Sequence, residues 1–394
     1  MSADISHQEK GKRPTQPSGQ RLFTMEENDL LVDPFAFARN LTLLPVASSK
    51  LDLADRPTAK IRSHFSDFEV SEQLAFEPSG EGEHLFLLIE KNRCNSEWVA
   101  NQLQQQFALR SQDVGYAGKK DRHSLSRQWF SLHLPGREVS LDNLDNEFFR
   151  VVSASRHNKK LRKGAIAFNH FKIKMNEVSG KVAPSALERI KNQGFPNYFG
   201  YQRFGWNGQN LQNAMRWFNQ ETRVRSRNKR SIYLSAARSY LFNLLLAQRI
   251  NQDNWCQGIS GDCLNLTGSR SYFCATEIDS QTSERLLTGD LHPSGWMAGR
   301  QASESTLAAA LIEENLFSQF PTWLAALARL KVDSARRPLR VIPTDVCLAL
   351  DSEQTQTLSF KLPSGSYATA LLAELFDFSD ESLNSTHQTG GSDE

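Results

Sequence analysis

The chain reads as an α+β protein, and three patterns carry that reading. Through the first half, apolar residues alternate with polar ones in short runs, as half-buried strands require. The middle repeats its apolar residues at helical spacing instead. Strand-like alternation then returns near the end. A helix-rich stretch set between sheet-forming segments predicts a second domain inserted into the first. A length of 394 residues is enough for two cores.

Taken in order, residues 1–20 are rich in Ser, Gln, Lys and Pro without periodicity and predict a disordered leader. Phe68 and Val70 alternate with Glu69 and Ser71, and His84 to Lys91 is an apolar run of strand length. Asn95 or Ser96 can cap a helix whose Val99, Leu103 and Phe107 share one face. Gln128 to Leu134 sets Phe130, Leu132 and Leu134 on one side of a strand. Phe171, Ile173 and Met175 do the same against Lys172 and Lys174. Pro184 to Asn192 predicts a short helix stopped by Gly194. Leu211 to Phe218 and Ala236 to Ile250 follow as helices, the second with Ser235 as N-cap. Ser303 to Leu316 and Trp323 to Leu330 are helical again. Strand character returns only at Leu339 to Ile342 and Thr357 to Leu362. Ser366 opens a last helix through Leu375, and residues 379–394 predict a disordered tail. The expected division is a leader (1–20), a first domain (21–193 and 342–378), an inserted domain (194–341) and the tail.

Net charge is only +2, so any charge for a polyanion must be local. The five Cys form no C-x-x-C pair and match no His spacing. They read as reduced thiols, and neither zinc nor a disulfide framework is expected. The polar N-terminus lacks a signal-peptide core. The longest apolar stretch, Tyr240 to Ala247, is broken by Asn243 and too short to span a bilayer. A cytoplasmic protein is expected. There is no Walker A run, no G-x-G-x-x-G after a strand, no H-E-x-x-H and no G-x-S-x-G. An enzyme of this sequence is expected to need no phosphate-bearing cofactor and no metal.

Three constellations remain. Gly115-Tyr116-Ala117-Gly118-Lys119-Lys120-Asp121-Arg122-His123 puts one carboxylate among several bases in a turn, and nearby positive charge favours its ionised form. Such an Asp can act as nucleophile or base. Two basic clusters, Arg156, His157, Lys159, Lys160, Arg162, Lys163 and Arg223, Arg225, Arg227, Lys229, Arg230, each concentrate five Lys or Arg within eight residues, as phosphate contacts need. Aromatics beside polar donors, in Asn169-His170-Phe171 and Asn197 to Gly205, are of the kind that stack RNA bases. Most rings of the second group are expected in the core.

GYAGKKDRHSLSRQWFSL (115–132), HNKKLRKGAIAFNHF (157–171), PNYFGYQRFG (196–205), RNKRSIYLSAARSYLFN (227–243) and LPSGSYATALLAEL (362–375) resemble the TruD family of tRNA pseudouridine synthases, in order and spacing, from about residue 51 to 376. The resemblance implies a pseudouridine synthase catalytic domain on a mixed β-sheet of permuted strand order, with an inserted, helix-rich α/β TRUD domain. It implies that uridine 13 of tRNA is isomerised without a cofactor, by Asp121 as nucleophile on a flipped-out base. Arg62 stands where relatives carry a Lys that pairs with this Asp. Phe68, Asn169 and Phe171 match residues of the uridine site. Phe168 replaces the Gly before that Asn, and Tyr367 stands where a Phe stacks. Glu72 is assigned only a structural role. Lys120, Arg122, Lys159, Lys160, Arg162, Arg225, Arg227 and Lys229 are the expected RNA-backbone contacts, the partner is tRNA, and a monomer is the default. The competing readings are a non-catalytic tRNA-binding or tRNA-folding protein and, further off, a cofactor-dependent RNA modifier such as a methyltransferase, for which no cofactor loop is found.

Overall fold

Backbone pairing organises most of the chain around one long strand. The computed structural model describes residues 56–162, 164–205 and 208–383; the expected leader, residues 1–20, lies outside them. From β1 (Thr58–Ile61) the chain passes through β2 (Phe68–Leu74), β3 (His84–Lys91), α1 (Ser96–Phe107), β4 (Val114–Tyr116), β5 (Leu125–His133) and β6 (Phe149–His157) to β7 (Ile166–Ser179). β7 pairs with β2 along its first half and with β1 near its end. Its other edge takes β15 (Thr355–Pro363), which in turn carries β14 (Thr344–Ser352). The strand order is β14-β15-β7-β2-β5-β3-β6. β2 runs parallel to β5, and β1 is parallel to β16 (Asp377–Asp380), so the sheet is mixed.

Local chemistry explains the elements that place the site. Asn95 caps α1 by accepting from the Trp98 amide, and Val99, Leu103 and Phe107 are buried against Leu85, Leu87, Phe130 and Leu132. α2 (Pro184–Gln193) begins on a proline and ends at Gly194, whose φ is 82°. A β-carbon on Gly194 would lie 2.3 Å from the Val341 carbonyl oxygen, so only glycine lets the two backbones approach there. This is where the middle of the chain departs and returns: β8 (Phe195–Pro196) pairs with β13 (Arg340–Val341).

Between those two points, α3 (Gln209–Phe218), α4 (Arg227–Asn251), α6 (Leu307–Phe317) and α7 (Pro321–Arg329) pack around a core that includes Tyr240, Phe242, Trp323 and Phe320. α4 begins at Arg227 with Ser226 as its cap, two turns before the expected Ser235. The basic residues there read as loop in sequence because they carry no apolar stripe. The periodicity, which shows strand character only from Leu339 on, misses four strands here, whereas the α/β character that the resemblance implies is present. β9 (Cys263–Leu266), β10 (Tyr272–Cys274), β11 (Leu291–Met297) and β12 (Ala335–Pro338) form a sheet in the order β10-β9-β11-β12, with α5 (Ser280–Leu287) between β10 and β11. Pro293 and Gly295 hide β11, since both are strand breakers. Pro293 is tolerated where β11 changes partner from β9 to β12.

Two further expectations are corrected. Cys263 and Cys274 face each other across β9 and β10 and are joined by a disulfide, whereas Cys94, Cys256 and Cys347 are free. Spacing cannot reveal that juxtaposition; strand register creates it. Residues 379–383, expected in the tail, belong to the fold, and the rest of the expected tail lies outside the described residues. After α8 (Ala368–Leu375), β16 and a turn at Glu381–Leu383 are ordered on the edge strand β1. Asp377-Phe378-Ser379-Asp380 has too few apolar residues to advertise a strand. Among the described residues, no helix is long and apolar enough to cross a membrane.

Candidate active site

The turn between β4 and β5 holds Asp121 on a rigid frame. The buried Lys91 ammonium donates to the carbonyls of Cys94 (2.8 Å) and Asp121 (3.2 Å). The Lys120 amide donates to the Ser96 hydroxyl (2.9 Å), Gln128 donates to the Gly118 carbonyl (2.6 Å) and Ser124 to the Asp121 carbonyl (3.0 Å). With the backbone pinned from below, the Asp121 carboxylate projects with its side chain 29% exposed. Its Oδ1 accepts from the His123 amide (3.1 Å), and its Oδ2 accepts from Gln202 Nε2 (3.0 Å) and faces Arg62 Nη2 at 3.5 Å.

Arg62 follows β1 at a φ of 57°, a left-handed setting that few non-glycine residues adopt and that concentrates at functional sites. Its guanidinium lies 3.9 Å from the Phe68 ring centroid, and its second nitrogen, Nη1, bonds Asp380 of β16. Tyr201 also donates to Asp380, whose other oxygen accepts from the Ser382 amide and hydroxyl. The planar fork thus spans two carboxylates, which a lysine ammonium could not do with the same geometry.

Asp121, Arg62, Phe68, Asn169, Phe171 and Tyr367 all line one cavity of about 330 Å³. That volume suits a small planar ligand. Phe171 meets Phe68 edge-on (6.1 Å) and stacks on Phe360 (5.3 Å). Tyr367 meets Phe199 edge-on, and its hydroxyl accepts from Arg203 Nε (2.9 Å), the partner that a tyrosine in place of phenylalanine requires. Asn169 is buried, and its Oδ1 has no hydrogen-bond partner. A buried carbonyl on a cavity wall is positioned to accept from a ligand or a water in the cavity.

The expected RNA-backbone cations do not gather at this site. Lys120 also borders the cavity, but its ammonium is bound to the fully buried Glu72, which also accepts from the Trp129 amide (2.9 Å). Lys120 is therefore corrected from phosphate contact to internal ion pair, and Glu72 is structural. Lys119 turns to Glu97, so the sequence neighbours of Asp121 do not supply its counter-charge. Arg122 is exposed. Lys159, Lys160 and Arg162 line a separate groove, and Arg225, Arg227 and Lys229 are exposed around the start of α4. Gln202, Lys91 and Asp380 are the site residues that sequence reasoning left without a role. Gln202 lay inside a recognised aromatic motif, while Lys91 and Asp380 gave no local signal.

Burial lowers the Lys91 pKa to about 8, below its unfolded value near 10.4. Between those values the unfolded chain holds a proton that the folded chain has released, so this residue makes stability rise with pH. Denaturant titrations should show the native chain gaining stability relative to Lys91→Met from pH 8 to pH 10. A pH-independent difference would refute the assignment.

An anchored carboxylate at the mouth of an aromatic-walled cavity, on a mixed sheet, defines an enzyme site for a planar substrate. The family model described as tRNA pseudouridine synthase D (TruD) matches residues 54–213 and 208–375. A tRNA pseudouridine synthase D of Hydrogenovibrio crunogenus is 39% identical over 323 residues, covering 81% of this chain and 93% of its own. One of Aeromonas salmonicida is 41% identical over 325 residues, covering 81% and 91%. A solved structure assigned as a tRNA pseudouridine synthase D of Methanosarcina mazei superposes with a TM-score of 0.61 at 17% identity, over 83% of this chain and 95% of that one, which supports the fold. The chain belongs to the TruD family of tRNA pseudouridine synthases.

Proposed function

We propose that the protein isomerises uridine 13 of tRNA to pseudouridine, with Asp121 as the nucleophile on a flipped-out uridine. The observation that carries this reading is the Asp121 carboxylate, fixed by Gln202, His123 and Arg62 at a cavity that Phe68, Phe171 and Tyr367 wall. A base inside a stack cannot reach such a site, so the uridine must leave its stack. Asp121 attacks either C1′ of the ribose or C6 of the uracil, and the bond from N1 to C1′ breaks. The freed uracil turns between the aromatic walls, C5 bonds to C1′, the bond to Asp121 breaks and returns the carboxylate, the C5 proton is lost and N1 gains one. Substrate and product therefore have the same composition, and no redox cofactor is called for. The unsatisfied Asn169 carbonyl would accept from the uracil or ribose edge while the base turns.

In this reading, residues 21–193 and 342–378, extended through Asp380 of β16, form the catalytic domain, 194–341 the inserted domain, and a monomer acts on tRNA in the cytoplasm without metal. The close pairing of β8 with β13 supports an insertion at that point. Arg122, Lys159, Lys160, Arg162, Arg225, Arg227 and Lys229 would meet the RNA backbone. The test is to treat an unmodified tRNA transcript with the protein and map pseudouridine by position. Pseudouridine at position 13, lost when that uridine is replaced by cytidine, is the expected result. Modification elsewhere only would overturn the positional claim, and no modification of any tRNA would overturn the reading.

A further inference from the structure

We infer that a groove on the reverse face of the large sheet is a second RNA site, which stacks an unpaired base on Phe76 and takes flanking phosphates on Lys159 and Arg162. The inference rests on the reading of tRNA as substrate. Successive strand side chains point to opposite faces. Val70 is in register with Ser126, so Phe68, Val70 and Glu72 share a face with Gln128 and Phe130, the face that carries α1 and the Asp121 cavity. Phe86 lies between Leu85 and Leu87, which pack on α1, and so points the other way. There it meets His157 (5.0 Å) and Phe76 (6.2 Å).

On that reverse face, Phe76 stacks on His157 with centroids 4.8 Å apart and planes inclined by 21°. It remains 36% exposed, so one face of the ring is open to a ligand. The platform is held in place. His157 Nδ1 accepts from the Ser79 amide (3.2 Å), and a β-carbon on Gly82 would come within 2.6 Å of the His157 carbonyl, so the loop before β3 lies tight against it. The groove encloses about 970 Å³. Glu77 is the one carboxylate among its lining residues, against Lys159, Lys160 and Arg162. Burial, then the neighbouring His133, lowers the His84 pKa, so the groove's charge comes from the lysines and the arginine. Lys160 donates to the Gln112 carbonyl (2.6 Å), whereas Lys159 and Arg162 are exposed. An exposed stacked ring flanked by exposed cations is the combination that holds single-stranded nucleic acid: stacking tolerates any base, and cations track the backbone. An acidic peptide would use the cations but give the ring no partner.

The test is equilibrium binding of the full-length protein to a full tRNA transcript across a series of salt concentrations. Phe76→Ala should weaken binding about 5- to 160-fold, the range for one lost stacked base. Phe76→Trp should keep native affinity. Lys159→Gln with Arg162→Gln should flatten the dependence of log K on log salt by about 1.4, at about 0.7 per single-strand phosphate. Unchanged affinity in Phe76→Ala, an equal loss in Phe76→Trp, an unaltered salt slope, or competition by an acidic peptide but not by RNA would each overturn the inference. Turnover of tRNA by the native protein is scored separately, so failure of the groove and failure of the catalytic reading are told apart.

Discussion

Asp121→Asn should abolish pseudouridine formation while leaving the fold and tRNA affinity in place. The amide is isosteric, and its oxygen can still accept from the His123 amide, while Gln202 keeps a bond only by turning its own amide so that its oxygen accepts from the new nitrogen. The His123 contact and the Lys91 bond to the backbone carbonyl do not depend on the charge. What disappears is the carboxylate proposed as nucleophile, and removing a nucleophile costs on the order of 10⁴-fold or more in kcat. Single-turnover conversion of tRNA, with binding measured in parallel, checks this. Turnover within tenfold of native would remove Asp121 from the chemistry, whichever carbon it attacks.

Asp380→Ala should destabilise the fold by about 3–5 kcal/mol, the usual cost of removing one partner from a buried ion pair. Arg62 and Asp380 have side chains only 3% and 2% exposed, so neither can turn to water for compensation. Without Asp380, the Arg62 guanidinium keeps a single, looser pairing with Asp121 at 3.5 Å, and the Tyr201 hydroxyl loses its acceptor. Urea unfolding should show a lower midpoint with an unchanged slope. A midpoint shift worth under about 1 kcal/mol would mean that the pair is dispensable. Activity should fall as well, since Arg62, which faces the Asp121 carboxylate, loses its second anchor.

Much of the catalytic half was legible because its signals are local. The strand at His84–Lys91 and the helix capped by Asn95 follow from short-range alternation and capping. The Asp121 turn and the aromatic segments announced themselves by residue type, and they line one cavity with Arg62, Phe68 and Tyr367. The illegible parts depend on distant pairing. β11 contains a proline and a glycine and is a strand only because β9 and β12 flank it. β6 is an edge strand with few buried residues, so its alternation is faint. Cys263 and Cys274 become partners through register, which spacing does not encode.

The charge around Asp121 shows the same division. By itself, the sequence determined that an Asp stands in a basic turn within a motif set of the TruD family, and that aromatics and an Asn accompany it. The resemblance already pointed to Arg62 as its partner, and only the tertiary structure decided where the neighbouring cations go. Lys119 and Lys120, adjacent in the chain, turn to Glu97 and Glu72, while Arg62 and Gln202 arrive from elsewhere, with Asp380 behind Arg62. The reason is physical: a buried charge takes whatever partner the packing brings within reach, and sequence neighbours on a turn point in different directions.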